Sequence, residues 1–164
     1  MTKTDENLYK AYVGEAKASI RLLGFADKAE KEELPQVAKL FRAIAAAERI
    51  HAIKHLRHMK VIKSTEDNLE AAFESETSIS DNIYPEFIQQ AGEDGNKAAE
   101  IGFSHARDAE AAHAGLYKKA IGHMVAEEET SYYVCEVCGY VTDGFIPDEC
   151  PVCGAPKEKF FEVE

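Results

Sequence analysis

The chain has 164 residues, enough for one full-sized core and a small appended module, and its 45% apolar content excludes a globally disordered polymer. Thirty acidic residues against nineteen basic ones give a formal charge of -11, which argues against nucleic acid or an anionic membrane as the natural partner. No stretch has the apolar core of a signal peptide or approaches the length of a membrane span, so a soluble, cytoplasmic protein is expected.

Residues 5 to 32 carry Leu8, Tyr12, Ile20, Leu23, Phe25 and Ala29 at helical spacing. Pro35 suits the first turn of a second helix, with Leu34 before it non-helical. From Val37 to Met59 a broad apolar stripe runs through Val37, Leu40, Phe41, Ile44, Ala47 and Ile50. Ser64 or Thr65 can cap a third helix, which continues through Leu69, Phe73, Ile79 and Ile83, and Pro85 should kink it or interrupt its hydrogen-bond ladder. Gly92 and Gly95 bracket a short acidic break. A fourth helix then runs from about Asn96 and ends before the Glu127-Glu128-Glu129 run. Four long helices with short connections predict an antiparallel all-α four-helix bundle. After Thr130 helical periodicity ends. The expected division is therefore a bundle over 1–130 and a metal-organised module over 131–164.

Two helices each carry a Glu-x-x-His, Glu48 with His51 and Glu110 with His113. Residues three apart share a helix face, so each pair can converge on one metal position. The other two helices offer Glu15, beside Val13, Gly14, Ala16 and Ala18, and Glu76, between Phe73 and Ile79. One such single motif arises easily by chance. Two of them with two further carboxylates have the composition of a carboxylate-bridged two-metal site. Register supports this reading: Glu76 lies about 15 residues before the break near 91, and Glu110 about 15 after the restart near 95. Glu15 and Glu48 are less symmetric about their turn, by roughly one helical turn. Carboxylate and imidazole ligands suit iron or manganese, with zinc possible. Burying the four carboxylates without metal should weaken the apo protein. His55, His58, His105 and His123 read as surface or boundary residues, and Tyr12 and Tyr84 as either boundary tyrosines or hydrogen-bond partners of the ligands.

All four cysteines fall in two Cys-x-x-Cys pairs, Cys135/Cys138 and Cys150/Cys153. Clustered pairs of this kind read as a tetrahedral metal site rather than a disulfide framework, and the ligand set accepts iron or zinc. Gly139 and Gly154 permit tight turns that aim amide N–H groups at sulfur, which leans towards iron. Tyr133, Tyr140, Phe145, Phe160 and Phe161 are expected to shield the site.

These marks together resemble the rubrerythrin family over essentially the whole chain. They are Gly14-Glu15, Ala47-Glu48-Arg49-Ile50-His51, Glu76 followed by Tyr84-Pro85-Glu86-Phe87, Ala109-Glu110-Ala111-Ala112-His113, and the tails Val134–Tyr140 and Cys150–Pro156. The resemblance implies a ferritin-like di-iron bundle whose ligands are Glu15, Glu48, His51, Glu76, Glu110 and His113. It also implies a rubredoxin-like domain whose single iron is held by Cys135, Cys138, Cys150 and Cys153. The implied activity is reduction of hydrogen peroxide to water, with electrons from a reduced donor protein or reductase entering through the cysteine site. A homodimer, in some relatives with exchanged helices, is implied as well. Two positions depart from the family pattern. Ile79 stands where a second glutamate is usual, and Leu22 where a tyrosine is usual. Loss of that glutamate leaves open a dioxygen-reducing oxidase or ferroxidase-like protein. A non-enzymatic metal-binding protein with a zinc ribbon is the remaining alternative.

Overall fold

The computed structural model describes residues 2–123 and 130–164, except for the side chain of His123. The expected end of the fourth helix, the Glu127-Glu128-Glu129 run and the side-chain setting of His123 lie outside the described residues. The fold class is as expected, an all-α part with four main helices followed by a small sheet bearing the cysteines. By internal contacts the chain divides into two compact units, Met1–Lys63 and Ser64–Glu164. No described helix is long and apolar enough to cross a membrane.

The first unit is a helical hairpin of α1 (Lys3–Lys31) and α2 (Pro35–His58). Thr2 and Asp5 form a reciprocal capping box that starts α1, and Pro35 occupies the first turn of α2, where its missing N–H costs nothing. Between the helices Glu33 takes a left-handed backbone conformation (φ 58°), and the Leu34 N–H closes on the Ala29 carbonyl.

Apart from Ala29, the residues buried in this hairpin differ from those the apolar stripe predicts. They are Ser19, Ala26 and Ala29 on α1 and Ala38, Ala45 and Ala52 on α2. Ala38, Ala45 and Ala52 recur every seven residues, the repeat that keeps one seam against a partner helix. Small side chains let the backbones approach closely enough for the Ser19 hydroxyl to donate to the Ala45 carbonyl at 2.9 Å. Ile20, Leu23, Val37, Leu40, Ile44 and Ile50 remain exposed, Ile20 by 71%. A hydrophobic stripe and a packing seam are therefore different faces of these helices.

The second unit starts with α3 (Thr65–Ser78), capped by the Ser64 hydroxyl accepting from the Asp67 N–H. A π turn (Ile79–Ile83) follows, and then α4 (Tyr84–Glu93). The α-helical ladder is interrupted there, as Pro85 leads one to expect: the Tyr84 N–H reaches the Ile79 carbonyl five residues back. The wider turn accommodates the Pro85 ring, which would collide with a carbonyl in an unbroken α-helix. Asn96 caps α5 (Lys97–His123), and α5 packs along α3, the π turn and α4. Tyr84, Phe87 and Phe103 form an aromatic cluster there, with ring centroids 5.6–6.1 Å apart.

The cysteine module is a three-stranded antiparallel sheet in the order β2–β1–β3, from β1 (Tyr132–Cys135), β2 (Val141–Asp143) and β3 (Phe160–Glu162). Its small core is Cys135, Cys150 and Ala155, with Tyr140, Val152 and Phe160 packed against them. Of the aromatics expected to shield the cysteines, Phe145 and Phe161 are instead exposed. Successive strand residues point to opposite faces, so when Phe160 packs inward Phe161 must point outward.

Candidate metal centres

Three groups of metal-competent side chains occur among the described residues. Glu15, Glu48 and His51 gather in the hairpin, while Glu76, Glu110 and His113 gather in the second unit. The third group is Cys135, Cys138, Cys150 and Cys153. Within each group one ligand atom per residue lies within 4.8 Å of the others, a spread that a single ion can span. All ten residues singled out from the sequence thus fall into one of these groups.

In the hairpin the antiparallel packing of α1 on α2 brings Glu15 level with Glu48, and the apparent offset of one turn is absorbed by the Glu32–Leu34 connection. The His51 Nδ1 lies 3.4 Å from a Glu48 carboxylate oxygen and 3.9 Å from Glu15. Glu15 has a raised pKa, first because its carboxyl shares a hydrogen bond with Glu48, while Glu48 is held low chiefly by the same bond. Two facing carboxylates cannot both ionise freely, so one proton or one cation must lie between them. His55 follows His51 by one turn on the same face, and its Nδ1 is buried without a hydrogen-bond partner among the described residues.

The second group repeats this chemistry with more burial. Glu76 and Glu110 are hydrogen-bonded, and desolvation, followed by that bond and the Glu110 charge, pushes the Glu76 pKa up to about 7. The His113 Nδ1 is 3.0 Å from Glu110, and its Nε2 is 2.9 Å from the Gly139 carbonyl. A carbonyl only accepts, so Nε2 must carry a proton; an ionised carboxylate only accepts as well, so in the metal-free chain a proton also lies between Nδ1 and Glu110, at the place a metal ion would take. With that proton displaced, the imidazole is the Nε2–H tautomer a metal needs, held by an outer hydrogen bond to the Gly139 carbonyl.

The π turn also places Tyr84. Eight residues of regular α-helix would leave it about 80° from Glu76, and the extra residue in the π turn reduces this to about 20°. Its hydroxyl has a raised pKa, through burial first and then the nearby Glu110 and Glu76 charges. Ile79, the first residue of the π turn, is half-buried, as is Leu22 on α1.

The four thiols form two knuckles. The Gly139 N–H closes on the Cys135 carbonyl and the Gly154 N–H on the Cys150 carbonyl, both at 2.9 Å, with φ of 80° and 71° at the glycines. Sulfur–sulfur separations are 3.8 Å for Cys135–Cys153 and 3.6 Å for Cys138–Cys150. Burial opposes ionisation of Cys135, but amides of Cys138 and Val137 aimed at its sulfur outweigh it and lower the pKa. The Tyr140 and Ala155 amides are directed likewise at Cys138 and Cys153, where burial prevails and the pKa rises. Amides converging on clustered sulfurs suit thiolates held by a metal, iron included.

The Rubrerythrin family profile matches residues 6–121, and the profile described as rubrerythrin, rubredoxin-like domain matches residues 133–161. The chain belongs to the rubrerythrin family. It is 33% identical to rubrerythrin-2 of Clostridium acetobutylicum over 96% of this chain and 95% of that protein. Nigerythrin of Nitratidesulfovibrio vulgaris is 33% identical as well, over 96% of this chain and 85% of that protein. Among solved structures, fully reduced, all-ferrous nigerythrin superimposes with a TM-score of 0.61 at 31% identity, covering 99% of this chain and 88% of that one.

Three features of the rubrerythrin site escape sequence reasoning. The Gly139 carbonyl is a backbone group, with no signature beyond its neighbouring cysteine. The π turn was foreshadowed only by Pro85, which signals interruption without specifying its form. The unpartnered Nδ1 of His55 had one available signal, its spacing of four from His51.

Proposed function

We propose that this oxidoreductase reduces hydrogen peroxide to water, taking up two electrons and two protons per peroxide and releasing two waters. The reading rests on a single observation, the His113 imidazole that faces Glu110 through Nδ1 and the Gly139 carbonyl through Nε2. Gly139 follows Cys138, so a short covalent and hydrogen-bonded path links the thiol cluster to a carboxylate–histidine cluster. A structural zinc ribbon has no need of such a path.

Glu15, Glu48 and His51 would hold one iron ion, Glu76, Glu110 and His113 a second, and the four cysteines a third. Bound there, iron supplies one-electron steps at the thiolates and two electrons to the oxygen–oxygen bond. The chain's own residues define the rest. The Gly139 carbonyl keeps a proton on Nε2 of His113 and so leaves Nδ1 as its ligating atom, while Glu76 gives up to an entering ion the proton it holds against Glu110 in the metal-free site. The Tyr84 hydroxyl, kept neutral by burial, is available as a donor beside the two carboxylates.

The division into 1–130 and 131–164 is part of the same proposal, with the two family matches as its support. A reduced protein or reductase would feed the cysteine site. We also propose a homodimer, with exchanged helical hairpins as its most economical form, because Ile20, Leu40, Ile44 and Ile50 offer apolar surface for a second copy to bury. Sedimentation equilibrium showing only monomer at micromolar concentration would exclude it.

A second reading, dioxygen reduction or ferroxidase activity, is favoured by Ile79, which cannot supply the additional carboxylate usual in the family. Mixing reduced, iron-loaded protein with peroxide or with air-saturated buffer separates the two. Visible absorption of the thiolate site should return much faster with peroxide. Equal or faster oxidation by air would reverse the assignment.

A further inference from the structure

We propose that Lys119 and Asp143 form an orienting ion pair that holds the cysteine module on α5 in the pose where the Gly139 carbonyl meets His113. The pair thereby sets how readily electrons leave the cysteine site. This inference rests on the electron-entry reading above, but its structural half can be tested separately.

The contact between α5 and the module is loosely filled. A largely apolar crevice of about 340 Å³ opens where α3, α5 and the module meet, lined by Leu69 of α3, by His113, Leu116, Tyr117 and Ala120 of α5, and by Tyr132 and Val141 of the sheet. Apolar surfaces that do not interlock give little rotational specificity, so directional contacts must fix the pose. Two such contacts join the described residues of α5 and the module. One joins His113 to Gly139, and the other joins the Lys119 ammonium to an Asp143 carboxylate oxygen. His113 and Lys119 are about 9 Å apart along α5, at 1.5 Å per residue. Gly139 and Asp143 bracket β2. Attachment at two separated points prevents the swivel that either would permit alone.

Asp143 is itself held firmly. It pairs with Tyr132 across the β1–β2 ladder, its carbonyl accepts from the Phe145 N–H, and the adjacent Gly144 N–H donates to Ser131. The Asp143 carboxylate is therefore carried on firmly paired sheet backbone, and the Lys119 side chain reaches it from α5. Its role is positioning, since neither Lys119 nor Asp143 belongs to the metal-competent groups. In the redox step one electron leaves the reduced cysteine site and one arrives at the carboxylate–histidine site. Two such transfers restore what one peroxide removes.

The test compares wild type, Lys119→Glu, Asp143→Lys and the double exchange Lys119→Glu/Asp143→Lys. Zinc-loaded full-length protein first reports docking without redox chemistry, through the His113 ring nitrogen shifts and the rotational correlation time of the module's amides. Iron-loaded protein then gives the single-turnover rate at which peroxide oxidises the reduced thiolate iron. An exposed ion pair contributes a factor of about two to five to the docked ratio, and charge reversal adds repulsion, so each single variant should lower it about tenfold. We expect the His113 shift to change, the module to tumble faster and oxidation to slow about tenfold in the single variants. The double exchange should restore all three to within about twofold, while the visible spectrum of the thiolate iron stays the same throughout. Unchanged shifts and tumbling in Lys119→Glu, or a double variant no better than the single ones, would overturn the orienting role. If the zinc-loaded variants behave as expected and no form reacts with peroxide, the docking inference stands and the peroxide reading fails.

Discussion

Glu76 gives the sharpest quantitative test of the carboxylate pairs, through the stability of the metal-free protein. Its pKa is raised from the ordinary 4.5 to about 7, by burial first and by Glu110 next. A carboxyl raised on folding adds stability that is fully present below its unfolded pKa and is lost as pH rises through the folded one. Metal-free protein should therefore weaken between about pH 4.5 and pH 8. At 1.36 kcal/mol per pKa unit the full effect is about 3 kcal/mol, and sharing of the proton with Glu110 together with solvent screening of this partly exposed carboxyl reduces it to about 1–3 kcal/mol. For a chain of this length that is about 3–10 °C in Tm.

Glu76→Gln keeps a neutral hydrogen-bonding group against Glu110 and removes the titration. Its Tm should match wild type near pH 5 and exceed it by that margin near pH 8, both measured without metal by calorimetry. The raised pKa of Glu15 acts in both proteins, so the difference isolates Glu76. Loading should reverse the order, because a divalent ion displaces the proton and Gln supplies a poorer ligand. Below pH 7 the wild-type affinity should fall by up to about tenfold per pH unit. A Tm difference that is constant from pH 5 to 8 would refute the proposed proton between Glu76 and Glu110.

Cys135→Ser should abolish the visible absorption of the thiolate iron and stop reduction by a donor. Chemically reduced helical sites should still react with peroxide, whereas Glu48→Ala should have the opposite pattern, as metal analysis and stopped-flow absorption would show. Ile79→Glu should add a carboxylate ligand beside Glu76 and alter the near-infrared circular dichroism of the ferrous sites. An unchanged spectrum would mean that position 79 does not face the metals. Pro85→Ala removes the steric reason for the π turn, so amide exchange over Ile79–Ile83 should slow and the Tyr84 pKa should fall towards its ordinary value in a spectrophotometric titration.

The candidate site was largely legible because its information is local. Glu48 with His51 and Glu110 with His113 face together by helix period alone, and each Cys-x-x-Cys forms its own knuckle around a glycine. Even the meeting of Glu76 with Glu110 could be read from equal distances to one turn. Packing was less legible because it depends on which of two apolar faces a helix presents. Ile20, Leu40 and Ile50 dominate the hydrophobic pattern of the hairpin, yet Ala38, Ala45 and Ala52 form its seam. A transfer scale weights burial by size, while helix contact here is set by how closely two backbones can approach. The same limit applies to Phe145, whose aromatic character predicts burial but whose position beyond the last residue of β2 leaves it 70% exposed.

The rubrerythrin features with no local signature share a physical origin, since each depends on backbone geometry that the side-chain pattern does not encode. The π turn changes the phase of every residue after Ile83, and without it Tyr84 would turn away from Glu76. The Gly139 carbonyl is exposed to His113 because the left-handed glycine turns the chain after Cys138. That same turn aims the Tyr140 amide at the Cys138 sulfur. One backbone turn therefore serves both sites, tuning a thiol on one side and fixing an imidazole tautomer on the other. Substituting Gly139 by alanine would strain a φ of 80° and disturb both contacts at once. The coupling of the two centres is thus a property of the fold at this residue, and a zinc-loaded Gly139→Ala protein with an unperturbed His113 ring would show that it is not.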